Sequence, residues 1–368
     1  MTVNQENYLG KIRKLPLTLL LLVSLVCCIG FVALYSASGG NMQPWAYKQI
    51  ANFCLFLPLA IFIAIIDLRL IYKMSYLFYL IVIALLVGVE IFGSSAMGAK
   101  RWMDLGIVRL QPSELAKLAI VLMLARYLHQ LRMLEIVKIN KILPAVIAVI
   151  IPIILIMKEP DLGTAVITII VGGIIFFAAG LEIWKFAIVG VSALISLPII
   201  WHMMHDYQRR RILVFLDPGK EPLGAGYNII QSKIAIGSGG LFGKGLTLGT
   251  QSHLDFLPEH QTDFIFATLA EEFGFIGGSI LLILYSLIIF ISLIIAVNSR
   301  SIFSKLMVIG ITTIFFSHVF INMAMVMGIV PVVGVPLPFV SYGGTMMGSM
   351  LMGFGLIMNA QIHQHNNI

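Results

Sequence analysis

Apolar residues in this chain come in long unbroken runs, not in the alternation of a half-buried strand. The first extends from about Leu15 to Leu34, and others lie near 48–66, 74–92, 113–128, 142–157, 162–180, 183–204, 264–297, 303–328 and 339–360. A helix needs roughly 20 apolar residues to cross a bilayer. The pattern therefore predicts ten spans, the fourth and fifth short. Lys11, Arg13 and Lys14 precede the first run as in a signal peptide, but the run is too long for one and reads as a retained span.

Of 368 residues, 59% are hydrophobic and 11% charged, where a soluble domain carries about a quarter charged and under half apolar. So little polar surface cannot cover so many apolar side chains. A soluble enzyme, a disordered chain and a fibrous protein are excluded. The fold class is an all-α polytopic membrane protein, read as one transmembrane domain over residues 1–368. The net charge of +7 suits Lys and Arg that flank spans and face anionic headgroups. No basic stripe is interleaved with aromatics, so nucleic acid is not an expected partner. Cys27, Cys28 and Cys54 form no CxxC pattern and read as small buried hydrophobes.

Ten spans place both termini on one side. With the N-terminus inside, the inner segments hold twelve Lys and Arg and the short outer loops five. The positive-inside bias thus favours two cytoplasmic termini and an outer loop at about 205–262. That loop contains nine glycines between Gly219 and Gly249, too many for a packed helix. Ile229, Ile230, Ile234 and Ile236 predict one short amphipathic helix on the membrane surface.

Charge is so scarce that each instance in or beside a span is informative. Glu114 and Lys117, three apart, share a helix face and form either a self-neutralising pair or part of a cavity wall. Pro160 and Gly163 break the chain between spans five and six, and Asp161 falls where an N-cap belongs. Lys100 and Arg101 stand beside Trp102 in the second outer loop, fit either for a diphosphate or for anchoring at headgroups. Arg209, Arg210 and Arg211 open the long loop. Asp263 begins span eight, with Glu271 and Glu272 about two turns on. His318 and Asn322, four apart in span nine, are expected to pair with other helices. Residues 330–344 hold three prolines and three glycines among Val330–Gly344, so this stretch must be buried in protein or line a wet cavity.

These features share the outer side and describe a polar cavity open to lipid. Transfer from a lipid diphosphate suits it: cations or a divalent metal take up the leaving charge, and a carboxylate deprotonates the attacking hydroxyl.

The chain resembles the SEDS family (shape, elongation, division and sporulation), and its RodA-type branch more than the division branch. The resemblance is carried by Gly98–Gly106, Gln111–Ala119, Glu159–Ala165, Arg210–Gly219, Gly226–Thr250, Gln251–Gly274 and Gly328–Thr345. It implies a peptidoglycan glycosyltransferase of the bacterial cytoplasmic (inner) membrane that polymerises lipid II, an undecaprenyl-diphosphate disaccharide-pentapeptide, at the extracytoplasmic face during rod-shape elongation. By the same resemblance the family's essential loop aspartate matches Asp263, its Glu/Lys pair Glu114 and Lys117, and its Glu-Pro-Asp-Leu-Gly-Thr aspartate Asp161. The family usually has His just before Thr-Asp. Here that position is Gln261, with His260 one earlier, so no proton relay is carried over to His260.

The expected mechanism has Asp263 as general base, with Lys100, Arg101, Lys117 and Arg210 as candidates to hold diphosphate and Glu114 orienting Lys117. A divalent cation (Mg or Mn) is an expected cofactor, with Asp161 or Asp263 as its ligand. The resemblance implies as partners the growing glycan strand, a class B penicillin-binding transpeptidase and other rod-complex membrane proteins. Two other classes compete: a lipid II flippase, which needs a polar path across the whole bilayer, and a non-catalytic scaffold of the cell-wall machinery.

Overall fold

The computed structural model describes residues 8–96, 99–104, 109–131, 135, 138–204, 206–217, 219, 225–253 and 259–365. Helices dominate because in lipid only a helix or closed barrel satisfies its own backbone. After a short α1 (Tyr8–Arg13) come α2 (Leu17–Ala37), α3 (Trp45–Ile65), α4 (Leu68–Phe92), α5 (Pro112–Gln130), α6 (Ile139–Lys158), α7 (Leu162–Ala178) and α8 (Ile183–Met203). Three lesser helices follow, α9 (Asp206–Leu216), α10 (Ala225–Ser238) and α11 (Thr250–His253). The long α12 (Ile265–Asn298), α13 (Ile302–Val326) and α14 (Gly344–Ile362) complete the chain.

A long helix stands at each of the ten expected stretches, with ends shifted by a few residues. Six of them are long and apolar enough to cross a membrane, and α7 and the first part of α8 are shorter apolar helices. Local chemistry sets the shifts. Helix α4 starts at Leu68 because the Asp67 carboxylate caps it, accepting from Arg69 N at 2.9 Å. Helix α5 starts with Pro112, whose missing N–H costs nothing at that position.

Helix α13 is the hub, buried along most of its length and packed on α5, α7, α12 and α14. Phe315 anchors it, with ring centroids 5.1 Å from Phe354, 5.5 Å from Tyr285 and 6.0 Å from Phe339. Helix α8 is the opposite case, exposing Ile183, Val189, Leu194 and Ile195 to the lipid side.

Two features of the fold were not legible in the pattern. Strands β1 (Ser94–Ala96), β2 (Ala99–Asp104) and β3 (Arg109–Leu110) form an antiparallel meander, with Ser94 opposite Trp102 and Asp104 opposite Arg109. It places Lys100 and Arg101 on its middle strand. The second is a break in α12 at Gly274, whose φ of 66° and ψ of −162° are not helical. The glycine-rich segment bonds the freed backbone: Lys244 N and Gly245 N donate to the carbonyls of Glu271 and Glu272 at 3.0 Å each, while Phe275 N and Ile276 N donate to Gly240 O and Leu241 O at 2.9 and 3.2 Å. No side chain fits there, since a Cβ on Gly274 would lie 2.4 Å from Gly243 N and one on Gly243 2.1 Å from Glu272 O.

The break decides where Asp263 goes. Residues 275–298 and α13 are joined by only Ser299, Arg300 and Ser301, so Phe275 and Val326 lie at similar heights. A straight α12 would carry Asp263 about 18 Å beyond Phe275. Instead its carbonyl meets Asn322, four residues short of the end of α13. The first two turns of α12 are folded back over the end of the bundle.

In the 205–262 segment, α10 is a helix where one was expected, but it packs on α12 with a face that divides the four isoleucines. It buries Gly226, Ile229, Ser232 and Ala235 and exposes Ile230 and Ile234.

Candidate active site

Asp263 sits in the turn before α12, and bonds made by its neighbours hold that turn. Thr262 N donates to Glu259 O at 3.1 Å, and Thr262 Oγ1 to the Glu259 carboxylate at 2.9 Å. Tyr342 N donates to Gln261 O at 2.9 Å, and Ser341 Oγ to Thr262 O at 2.6 Å. Residues 331–343, predicted to be non-helical, therefore run beside the Asp263 turn; an ideal Cβ on Gly334 stands 3.5 Å from Asp263 Oδ2. Gln49 ties the same segment to α3, donating to Ser341 O at 2.9 Å and accepting from Gly343 N at 3.3 Å.

The carboxyl of Asp263 is partly buried, and loss of solvent raises its pKa to about 6. That value is the net of burial and charge: the negative charge of Glu259 also acts upward, Arg211 and Arg101 pull downward, and Asp161 adds a smaller push upward. A carboxylate that is ionised at neutral pH yet still basic is suited to take a proton from a hydroxyl.

The ion pair read from spacing is present and fully enclosed. Lys117 Nζ lies 2.8 Å from Glu114 Oε1, with side-chain exposures of 1% and 4%. Ser349 Oγ donates to Glu114 Oε2 at 3.2 Å. Lys117 Nζ is also 2.6 Å from His318 Nε2, whose ring reaches Pro336 O through Nδ1 at 3.3 Å. An ammonium only donates, so Nε2 accepts and the ring proton is on Nδ1. Two of the three Lys117 N–H bonds are thus used, and the third has no partner among the described residues.

Asp161 caps α7 as expected. Its Oδ1 accepts from Thr164 N at 3.2 Å, and its Oδ2 from Thr164 Oγ1 at 3.0 Å, Gln111 Nε2 at 3.3 Å and Ser113 Oγ at 3.5 Å. Arg101 braces the same turn, donating to Glu159 O at 3.0 Å and to Pro160 O. Glu159 is buried, and neither of its carboxylate oxygens has a hydrogen-bond partner among the described residues. Desolvation, helped by Asp161, raises its pKa to about 8.

Arg101, Asp161 and Asp263 thus share one electrostatic neighbourhood, and Lys117 joins it through His318 and Pro336. Arg210 is exposed on α9, and the arginine of that run whose charge acts on Asp263 is Arg211. Of Lys100 only the main chain is described, so its diphosphate role lies outside the described residues. Glu271 makes its contacts to the segment that precedes Asp263 by a loop. It anchors the glycine-rich segment through Lys244 Nζ at 2.7 Å and Thr250 N at 2.9 Å. His260 is held at the end of α2, its Nε2 3.2 Å from Ala37 O and its ring edge-on to Trp45.

Among the described residues, no three His, Cys, Asp or Glu side chains gather as a self-sufficient metal site. A hard divalent cation needs only one or two carboxylates when a diphosphate supplies other oxygens. Asp161 Oδ1, with one donor on it and a lone pair over, fits that role.

His318 pairs with Lys117 of another helix as its spacing predicted, whereas the bond from Asn322 to Asp263 O, the Glu159 carboxylate without a hydrogen bond among the described residues and the charge of Arg211 on Asp263 were not read from the sequence. Every buried Asp, Glu or Lys among the described residues lies at this one end of the bundle: Glu114, Lys117, Glu159, Asp161, Glu271 and Glu272.

The chain is similar to several known proteins along most of its length. The peptidoglycan glycosyltransferase MrdB of Escherichia coli (strain K12) is 45% identical over 371 residues, covering 98% of this chain and 97% of that one. Stage V sporulation protein E of Bacillus subtilis (strain 168) is 35% identical, covering 93% and 96%. Among solved structures, a chain of a peptidoglycan synthase complex that coordinates polymerization and crosslinking superposes with a TM-score of 0.82 at 31% identity, covering 96% of this chain and 99% of that one. The rod shape determining protein RodA of Thermus thermophilus gives 0.72 at 26% identity, covering 96% and 98%. The FtsW/RodA/SpoVE family of cell cycle proteins matches residues 16–366, and the chain belongs to that family.

Proposed function

We propose that this protein is a peptidoglycan glycosyltransferase that joins lipid II disaccharides into glycan strands. One observation carries the reading: a carboxylate of raised pKa, Asp263, and a buried ammonium with a donor to spare, Lys117, share one end of the bundle. The acceptor GlcNAc 4-hydroxyl gives its proton to Asp263 as its oxygen bonds the MurNAc anomeric carbon of the donor. The bond from that carbon to the diphosphate breaks with inversion, and its electron pair leaves on undecaprenyl diphosphate. Lys117 takes up that charge, with Arg101 and Arg211 adding positive potential nearby. A divalent cation held by Asp161 would supply further neutralisation of the diphosphate.

A flippase needs ionisable groups along a path from face to face. Among the described residues the buried acids and lysine are confined to one end, which favours chemistry over transport. The site opens on the extracytoplasmic face of the inner membrane, with ten spans, both termini cytoplasmic and residues 205–262 outside. The partner is a class B penicillin-binding transpeptidase, by analogy with the synthase complex that the chain superposes on.

The test is purified Asp263→Asn protein with fluorescent lipid II. Folded protein that makes no glycan strands is the expected result, and strand synthesis at the wild-type rate overturns the assignment.

A further inference from the structure

One face of α13 carries two polar side chains a turn apart, and each joins the 335–336 segment to a different candidate site residue. Asn322 Nδ2 donates to Asp263 O at 2.8 Å and to Val335 O at 2.7 Å. His318 accepts from Lys117 Nζ at 2.6 Å and donates through Nδ1 to Pro336 O at 3.3 Å. Val335 and Pro336 are consecutive, so successive carbonyls of one extended segment receive one donor from each residue. Asp263 and Lys117 come from elements far apart in sequence, and neither touches the other. What fixes their separation is the single helical turn between 318 and 322, about 6 Å of rise.

We infer that His318 and Asn322 act as a two-point gauge, and that His318 is a positioning residue for Lys117. With Nε2 accepting one N–H and Glu114 another, the third N–H of Lys117 is aimed rather than free to rotate. Rotational freedom lost in advance is not lost again when substrate binds. Neither residue need touch substrate. The inference rests on the reading of Lys117 as a diphosphate ligand.

The experiment uses full-length protein in detergent, undecaprenyl diphosphate as binding probe, and fluorescent lipid II for rates. His318→Asn is the informative variant. It is too short to reach Lys117, but it can keep the bond to Pro336 O as Asn322 does to Val335 O. Losing a hydrogen bond to a charged group predicts undecaprenyl diphosphate binding weakened about tenfold in protein that folds but melts somewhat lower. His318→Gln, which restores an acceptor near the Nε2 position, should recover most of the affinity. In a Lys117→Met background, His318→Asn should change nothing further, since coupled residues are not additive. Wild-type affinity in folded His318→Asn, or effects that multiply in the double variant, overturns the gauge. Wild-type affinity in Lys117→Met overturns instead the diphosphate role of Lys117, and the gauge with it.

Discussion

The side-chain amide of Asn322 donates to the main-chain carbonyl of Asp263, not to its carboxylate, at 2.8 Å. The carboxylate is thereby positioned without having its basicity lowered, since a donor on the carboxylate itself would favour the ionised form and depress the pKa. Asn322→Leu leaves the carbonyls of Asp263 and Val335 short of a donor inside the protein, at about 1–3 kcal/mol each. Expected are a lower melting temperature and polymerisation reduced well below wild type with Asp263 intact. Unchanged strand synthesis in a folded Asn322→Leu protein would show that the Asp263 turn holds itself.

A general base must be ionised to act, so the rate should rise with pH through the Asp263 value of about 6 and level off above it. Neighbouring charges give the sign of two shifts. Arg211→Gln removes a positive charge that lowers the pKa, so the inflection moves up. Glu259→Gln removes a negative charge that raises it, so the inflection moves down. The pH dependence of kcat/KM for the three proteins checks this, and shifts in the same direction for both variants would rule out Asp263 as the titrating group.

Glu159 predicts a pH dependence of stability. Its carboxyl rises from 4.5 to about 8 on folding, because burial disfavours the charged form. The folded state therefore binds the proton more tightly, and stability falls as pH rises across that interval and is flat beyond it. Glu159→Gln keeps the shape of the protonated side chain and removes the titration. Thermal melts in detergent at pH 5 and pH 8 should show the wild type losing more stability than the variant, by up to a few kcal/mol. Parallel losses in the two proteins would mean that Glu159 is charged throughout.

The helices were legible because lipid imposes a length on every span, and that length shows as an apolar run. Asp263, Glu114 and Lys117 were legible for the complementary reason: charge is scarce here, and a charge beside a span is conspicuous. What could not be read depends on rotation and contact. Arg210 and Arg211 are indistinguishable in a run of three, and only the orientation of α9 selects Arg211 as the one acting on Asp263. Gly274 looks like any of 33 glycines until the glycine-rich segment is seen bonded to its neighbours. The strands at 94–110 are too short and mixed to stand out by alternation. His318 and Asn322 showed a spacing but not what lay opposite them.

The enclosed Glu114–Lys117 pair should behave non-additively under substitution. Glu114→Gln alone leaves a buried ammonium without its counter-charge, and Lys117→Met alone leaves a buried carboxylate. Each should cost about 3–5 kcal/mol. The double variant removes both charges and should regain much of that stability while remaining inactive, because no ammonium is left to meet the diphosphate. Melting temperatures and lipid II polymerisation of the three variants separate the structural share of the pair from the functional one. An active double variant would reduce the pair to a structural lock.

The break in α12 supplies the last test, because two glycines of similar appearance should differ sharply. Gly274→Ala puts a Cβ at positive φ, 2.4 Å from Gly243 N and 2.6 Å from Leu241 O, and backbone at that distance cannot yield locally. The segment must come away, the carbonyls of Glu271 and Glu272 lose their donors, and the folded-back turns that carry Asp263 lose their brace. Gly237→Ala, inside α10 with nothing within 4 Å of its Cβ, meets no such obstacle and gains helix propensity of up to about 1 kcal/mol. Gly274→Ala should thus lower both melting temperature and strand synthesis, and Gly237→Ala neither. Wild-type synthesis by Gly274→Ala would mean that Asp263 reaches its place beside Asn322 without the break, leaving the turn at 259–264 to do it alone.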